Sequence, residues 1–307
     1  MGHFFALITI IIWGTTFVAS RALVNAGLRP VEIVFFRFLI GWLFLVILRP
    51  RGFRLPLSLE IVKKDKLLIL SGICLIPVYF MLENTAVAHT LASNVSLFVA
   101  TSPLFIALIS RFVLRKMDIS KRFGVGAVLC LLGVFLVVTG GIVRVNTLGD
   151  FLAIGAAVAS AIYSLLGERL GKLTKSTVAE DRLVRMQRVF FYGLIFLLPI
   201  MPLAGFHADV NLFSKILQPS VLAQIVYLGL AASAFAFIIW NEALVRLGAL
   251  SAGLYLYLIP VVTISFAMVI LNERLTVLSA VGAVLIIFGL MVAEHWIDKV
   301  ISVIKQT

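Results

Sequence analysis

Residues 125–129, Val-Gly-Ala-Val-Leu, recur unchanged as residues 281–285, and this repetition decides the fold. The match extends along the chain, first at an offset of 156 and, upstream of one gap, at an offset of 157. The upstream residues Gly72, Phe80, Asn84, Ala86, Ala92, Leu97, Pro103 and Leu114 fall on Gly229, Phe237, Asn241, Ala243, Ala249, Leu254, Pro260 and Leu271. Self-similarity at one period indicates an internal duplication. The sequence therefore predicts two related halves, 1–143 and 144–294, and a tail, 295–307.

Composition places both halves in a membrane. The 307 residues are 62% hydrophobic and only 13% charged, with a mean hydropathy of +1.14. An average globular chain is about 45–50% apolar and about 25% charged, so a water-soluble domain is excluded. The net charge of +12 lies in short clusters between apolar runs, which argues against nucleic-acid binding.

Ten apolar runs are long enough to cross a bilayer as helices, which takes about 20 residues each. The runs cover residues 4–24, 31–48, 67–88, 91–114, 123–143, 148–167, 186–204, 221–245, 249–271 and 275–293. The first run has neither a basic segment before it nor a small-residue cleavage site after it, so it is interpreted as a retained helix. The predicted fold class is an all-α polytopic membrane protein with ten transmembrane helices.

The distribution of basic residues predicts the orientation. With ten spans, 20 of the 26 Lys and Arg side chains fall on the side of both termini and five on the other. Basic residues accumulate in cytoplasmic loops, so both termini are predicted to be cytoplasmic, in a bacterial inner membrane. Five spans per half give the halves opposite orientations. Inverted pairs around a central cavity are typical of secondary transporters.

Polar side chains within the apolar runs are costly, so they are expected to face a cavity or a partner. The candidate substrate-binding residues are Trp13, Thr15, Thr16, Tyr79, Glu83, Asn84, Ser96, Tyr163, Trp240, Asn241, Tyr255 and Tyr257. Aromatic walls with a few polar groups suit a small amphipathic solute such as an amino acid. Pro103 and Pro260, in the fourth and ninth runs, are candidate gating flexures.

Each of these residues also has a structural interpretation. Serine and threonine commonly bond their own helix backbone, and the two asparagines, Asn84 and Asn241, suit interhelical contacts. Arg37, which aligns with Arg188 at an offset of 151, lies near a helix start and is interpreted as snorkelling to the interface. The prolines could equally mark static kinks. The tail, 295–307, is interpreted as an amphipathic interfacial helix or a frayed end.

Several short motifs together resemble the EamA-like branch of the drug/metabolite transporter superfamily. They are Trp13-Gly14 with Phe17 and Ala19, Phe36-Arg37-Phe38, Asn84 with Ala86, Ala92-Ser93 with Ser96 and Pro103, Asn241-Glu242-Ala243, Pro260, and Asn272-Glu273-Arg274-Leu275. The resemblance implies two inverted five-helix repeats and a cavity lined by helices one, three, four, six, eight and nine. It also implies transport of amino acids and related metabolites. The family's acidic residue is present as Glu273, but Lys116 stands at the equivalent place in the first half.

The leading hypothesis is a secondary transporter that exports an amino acid or derivative by alternating access. Glu83, Asn84 and Asn241 would bind its polar head. Alternatives are a carrier of drugs, nucleosides or S-adenosylmethionine-type solutes, and a non-transporting assembly subunit. An enzyme is not expected, because the four histidines lie at span ends or in loops; no Walker motif, cofactor or metal site is predicted either. The expected partners are a small solute and the lipid bilayer, with proton coupling as one energy source, in a monomer or weak dimer.

Overall fold

The computed structural model describes residues 1–50, 65–90, 92–115, 120–139, 147–173, 179–271 and 277–293, and all regular structure in these ranges is helical. The helical stretches that coincide with the ten predicted runs are labelled α1 to α10. In the first half they are α1 (Gly2–Gly14 and Thr16–Asn25), α2 (Pro30–Leu48), α3 (Lys66–Ile73, Cys74–Phe80 and Met81–His89), α4 (Ala92–Val99, Ser102–Leu108 and Ile109–Val113) and α5 (Lys121–Thr139).

In the second half the stretches are α6 (Thr147–Leu173), α7 (Ala179–Leu197 and Ile200–Leu203), α8 (Pro219–Tyr227, Leu228–Phe235 and Ala236–Leu247), α9 (Ala249–Leu254, Tyr255–Leu258 and Ile259–Leu271) and α10 (Val277–Ala293). A short helix, Val210–Ile216, precedes α8, with the Asp209 side chain accepting a bond from the Leu212 amide as its N-cap.

The surface of the helix assembly is apolar and much of its polar chemistry lies inside. Large apolar side chains such as Ile47, Phe112 and Phe151 are exposed, while Arg37 and Glu83 are buried. This arrangement suits a lipid solvent. Within the described ranges, six helices are long and apolar enough to cross a membrane, namely α1, α2, α3, α4, α6 and α8. The chain is a polytopic membrane protein, and the total of ten crossings stays a prediction.

The helices that carry the repeated Val-Gly-Ala-Val-Leu segment, α5 and α10, pack directly against each other. A Cβ atom on Gly126 would lie 2.5 Å from the Gly289 carbonyl oxygen, and one on Gly133 would lie 2.6 Å from that of Gly282. The contact is reciprocal, because Gly126 aligns with Gly282 and Gly133 with Gly289. The pairing also runs the two helices antiparallel. Small residues allow such close backbone approach in membranes.

A second reciprocal contact joins each half to the other. On α2, a Cβ atom on Gly41 would lie 2.9 Å from the carbonyl oxygen of Gly229 on α8. On α7, a Cβ atom on Gly193 would lie 2.8 Å from the carbonyl oxygen of Gly72 on α3. Gly72 and Gly229 are repeat equivalents, so α2 packs on α8 in the way that α7 packs on α3.

The helices that line the centre are interrupted at related positions. A π-helical segment occupies Cys74–Phe80 in α3, with Pro77 inside it, and another occupies Leu228–Phe235 in α8. In α4 the helix ends at Val99 and restarts at Ser102, so Pro103 lies in a first turn, where its missing N–H costs no intrahelical bond. Pro260 likewise follows the 3-10 segment Tyr255–Leu258. The gating role of both prolines stays a prediction.

Some predictions fall outside the described residues. Lys116, Glu273, the half boundary at 143/144 and the tail, 295–307, lie there, as does most of the loop between α2 and α3. The domain division therefore stays a prediction.

Candidate functional site

A buried cavity lies at the centre of the helices. Its walls come from seven helices, α1, α2, α3, α4, α6, α8 and α9. The lining residues are Trp13, Thr16, Phe17, Arg37, Leu75, Tyr79, Phe80, Glu83, Val99, Ser160, Tyr163, Ser164, Phe237, Trp240, Leu256 and Ile259. The six helices that the family resemblance implied all contribute, and α2 joins them through Arg37.

The cavity is narrow. Its volume is about 30 Å³, measured as the space open to the centre of a water molecule. One water needs at least about 10–15 Å³ by this measure, so there is room for about two. A larger solute therefore requires the walls to move apart.

Arg37 is the residue that sequence interpretation placed wrongly. Its side chain does not reach an interface, because the residue is only 1% exposed and faces the cavity. Its Nε donates a 3.0 Å hydrogen bond to Ser233 Oγ on α8, and the guanidinium carbon lies 4.3 Å from the ring centroid of Phe80. The terminal nitrogens, Nη1 and Nη2, are buried without a hydrogen-bond partner. A cationic donor with unused capacity therefore faces the centre of the molecule.

Glu83 supplies the opposite charge to the same cavity. It is 2% exposed and lies one helical turn after Tyr79 on α3, and both residues line the cavity. Its Oε1 atom has no hydrogen-bond partner. Arg37 carries the opposite charge in the same cavity, and opposite charges attract strongly in a low-dielectric interior. The paired placement reduces the cost of burying either charge.

The remaining wall is largely aromatic. The Trp13 ring lies 4.9 Å from Phe237 and 5.1 Å from Trp240, measured between ring centroids, and its Nε1 donates a 3.0 Å bond to the Ala232 carbonyl. Phe80 and Phe237, which are repeat equivalents, meet edge to face at 5.9 Å. These rings provide an apolar surface on which an uncharged side chain of a solute can pack.

Tyr163 and Asn241 separate this cavity from a second pocket. The Asn241 amide donates a 2.8 Å bond to the Tyr163 hydroxyl and another of 2.8 Å to the Phe237 carbonyl. Tyr163 lines the central cavity, while Asn241 lines the second pocket with Arg182, Arg185, Met186, Gly171, Ile238, Glu242 and Val245. Glu242 forms ion pairs there with Arg182 and Arg246. A hydrogen-bonded pair is therefore the partition between the two spaces.

The structure brings half of the predicted binding residues together and places the others elsewhere. Trp13, Thr16, Tyr79, Glu83, Tyr163 and Trp240 line the cavity. The residues outside its wall are Thr15, Asn84, Ser96, Asn241, Tyr255 and Tyr257. A role for any of the twelve in substrate binding stays a prediction.

The residues outside the wall have structural contacts of their own. Thr15 bonds the Tyr227 hydroxyl at 2.5 Å, and Asn84 donates to the Phe80 carbonyl at 2.9 Å. The Tyr255 hydroxyl lies 2.6 Å from His3 Nδ1. Ser96 and Tyr257 are buried, the latter with an unpartnered hydroxyl. Asn84 thus bonds its own helix backbone, whereas the structural interpretation expected an interhelical contact.

Sequence reasoning missed the phenylalanine and aliphatic residues of the wall as well as Arg37. Phe80 and Phe237 carried a signal, since they were aligned in the duplication, but they were counted only as evidence for it. Arg37 carried a weaker signal, because it aligns with Arg188, which the structure pairs with Asp65 at 3.0 Å beside Tyr192. Within the described ranges, no three His, Cys, Asp or Glu side chains cluster as metal ligands do.

The membrane-spanning helices and the buried, charged central cavity define the class of protein as a multi-pass membrane transporter. The model of the EamA-like transporter family matches residues 1–139 and 147–293. The chain belongs to this family. The first matched stretch lies within residues 1–143 and the second within residues 144–294.

Relatives and a solved structure agree with this assignment. An "Uncharacterized transporter" of Archaeoglobus fulgidus is 29% identical over 85% of this chain and 86% of its own length. A "Probable terminal-alkyne amino-acid exporter" of Streptantibioticus cattleyicolor is 29% identical over 84% of this chain and 81% of its own. A solved crystal structure, 18% identical, matches with a TM-score of 0.72 over 97% of this chain and 98% of its own, which shows the fold. The family and the names of these relatives indicate a transporter rather than an enzyme.

Proposed function

We propose that this transporter is a secondary carrier that exports an amino acid or an amino-acid derivative by alternating access. One observation carries the proposal: Arg37 and Glu83 face one buried cavity whose walls come from both halves of the chain. Buried charges in a membrane are costly and serve substrates or ions as a rule. The name of the Streptantibioticus relative supports an amino-acid solute.

The reciprocal helix contacts support the alternating mechanism. Two halves that pack through equivalent glycines in opposite directions can exchange conformations and so present the same cavity to either side. In this proposal the partition formed by Tyr163 and Asn241 closes the cytoplasmic side. The interruptions before Pro103 and Pro260 supply the flexures. Energy comes from a solute or proton gradient.

Exchange in reconstituted vesicles tests this function. The purified full chain is placed in vesicles loaded with unlabelled amino acids, nucleosides or a cationic drug, and counterflow of the matching labelled solute is measured. We expect counterflow with at least one amino acid, and a fall of about 100-fold for Glu83→Gln, because a charge-assisted contact is lost. Glu168→Gln is the matched control, since Glu168 lies outside the cavity and pairs with Lys172. Wild-type exchange by Glu83→Gln, or exchange of nucleosides or drugs alone, contradicts the proposal.

The proposed orientation, with both termini cytoplasmic in a bacterial inner membrane, has a separate test. A cysteine is introduced at Ser214, in the short exposed helix before α8, or at Lys172, at the end of α6. An impermeant maleimide is expected to label Ser214→Cys in intact spheroplasts and Lys172→Cys only after lysis. The native Cys74 and Cys130 are buried and give a low background. The reverse labelling pattern contradicts this orientation.

A further inference from the structure

The central cavity contains one positive and one negative side chain among its described lining residues, so its formal net charge is zero. Arg37 comes from α2 and Glu83 from α3, and both are almost fully buried. A net-neutral site with separated charges is electrostatically complementary to a ligand that is also neutral overall and dipolar. A ligand carrying a single charge matches only one end of it.

Both charged side chains have unused hydrogen-bonding capacity. Ser233 accepts from Arg37 Nε, and the Phe80 ring supports the guanidinium, which leaves Nη1 and Nη2 without partners. Glu83 is 2% exposed, and its Oε1 has no hydrogen-bond partner. An unpartnered polar atom in a buried site is costly. The two residues therefore offer a donor pair and an acceptor at the lining of one cavity.

We propose, on the basis of the function proposed above, that this pair recognises the zwitterion of an α-amino acid with an apolar side chain. The ligand carboxylate accepts hydrogen bonds from Nη1 and Nη2 of Arg37. Its ammonium group donates to Oε1 of Glu83. The ligand side chain packs on the aromatic wall of Trp13, Phe237 and Trp240, which is a continuous apolar surface.

The same arrangement rejects close analogues. A primary amine without a carboxylate leaves the guanidinium desolvated and unpaired, and a carboxylic acid without an amine leaves Glu83 unpaired. Sites built to bond a polar group reject analogues that lack it, because their own buried groups then lose their partners. Specificity is therefore expected to require both ends of the ligand.

Binding to the unaltered protein provides the first test. Calorimetric titration of the purified full chain compares three ligands that share one side chain: L-leucine, isoamylamine and 4-methylpentanoate. A second set comprises L-phenylalanine, phenethylamine and 3-phenylpropionate. We expect at least one amino acid to bind, and its two analogues to bind more weakly by about tenfold or more. Equal binding of either analogue, or no binding by either amino acid, overturns the proposal.

Two variants then test which residue binds the carboxylate of the ligand and which binds its ammonium group. The Arg37→Gln protein is expected to lose most of the preference for the amino acid over the amine. The Glu83→Gln protein is expected to lose most of the preference for the amino acid over the carboxylic acid. Arg188→Gln is the matched control for Arg37→Gln, since Arg188 is paired with Asp65 away from the cavity. Thermal melts confirm that each variant is folded. A folded Arg37→Gln protein that keeps the wild-type preference over the amine overturns the assignment.

The outcomes also separate this proposal from the function on which it rests. If the amino acid binds in the expected pattern but does not exchange across vesicles, recognition stands and the carrier function fails. If the amine or acid exchanges as well as the amino acid, the carrier function stands and zwitterion recognition fails.

Discussion

The central segments of α3 and α8 occupy equivalent positions in the two halves but carry different chemistry. Each has a phenylalanine in the cavity wall, Phe80 or Phe237, and four residues later an asparagine, Asn84 or Asn241, that donates to that phenylalanine's carbonyl. The residue before each asparagine differs. It is Glu83 in α3, whereas α8 has the wall residue Trp240 there.

The residues that the two halves share have a different role from the residues in which they differ. The residues that the halves share, glycine, phenylalanine and asparagine, make helix contacts and backbone bonds that a carrier needs on both sides. The charge pair arises where the halves differ, because only one copy has an acid at this position. Arg37 and Arg188 diverge in the same way: one guanidinium faces the cavity, and the other pairs with Asp65. A symmetric framework therefore encloses a cavity with an asymmetric charge distribution.

The largest expected effect comes from disrupting the contact between α5 and α10, which joins the two halves. Gly126→Leu places a side chain where a Cβ atom alone would already lie 2.5 Å from the Gly289 carbonyl oxygen. We expect a loss of stability of about 1–3 kcal/mol or more, since overpacking forces backbones apart. A thermal melt of the purified protein would show it as a fall of several degrees in Tm.

The same helix offers the control for this prediction. A Cβ atom on Gly124 would have no heavy atom within 4 Å, so Gly124→Leu should leave Tm unchanged or raise it slightly, since leucine favours a helix more than glycine does. Equal destabilisation by the two variants would mean that the close approach of α5 and α10 is not what holds the halves together.

A smaller effect sharpens the comparison of the equivalent asparagines. Asn241→Ala removes bonds to both Tyr163 and Phe237 and leaves the tyrosine hydroxyl without this partner, so a cost of about 1–3 kcal/mol is expected. Asn84→Ala removes one bond to Phe80 together with an amide oxygen that has no partner, and should cost under about 1 kcal/mol. Thermal melts of both variants check the difference.

Of the two asparagines, only Asn241 should also affect the partition between the cavity and the second pocket, because only Asn241 bonds Tyr163. We expect Asn241→Ala to raise the labelling of a cysteine introduced at Ser164 by a cytoplasmic-side reagent, because Tyr163 loses its tether. Asn84→Ala should leave that labelling unchanged. Equal losses of stability and equal labelling of Ser164→Cys in the two variants would mean that the different hydrogen bonds of Asn84 and Asn241 do not affect access to the cavity.

The helices could be predicted because a long apolar run is easy to recognise and the hydrocarbon core of the bilayer is a uniform solvent. A run of about 20 apolar residues has few alternatives in a bilayer, where every backbone group must be satisfied within the segment. The duplication was readable for a related reason: glycines such as Gly126 and Gly282 tolerate no side chain where two backbones meet. The wall residues Trp13, Tyr79, Glu83 and Trp240 were found because they were aromatic or charged inside such runs.

The direction in which a side chain faces was not predictable at the same level. Arg37 and Arg188 align with each other and lie in comparable apolar settings, and nothing local distinguishes a snorkelling stem from a buried one. The π-helical segments of α3 and α8 rotate the residues that follow them, and the period of a regular helix does not predict this rotation. In α9 the 3-10 segment Tyr255–Leu258 places Leu256 in the cavity wall, whereas Tyr255 and Tyr257, expected there, lie outside it.

Residue chemistry and spacing alone determined that this chain is a membrane protein made of apolar helices with related halves. Those properties depend on free energies of transfer and backbone satisfaction, which add up along the chain. Only tertiary structure decided that Arg37 and Glu83 share one cavity, and that Asn84 and Asn241 do not line it. Such juxtapositions depend on how helices distant in sequence rotate and pack against one another, because a buried charge is tolerable only where its neighbours, and the space it faces, compensate it.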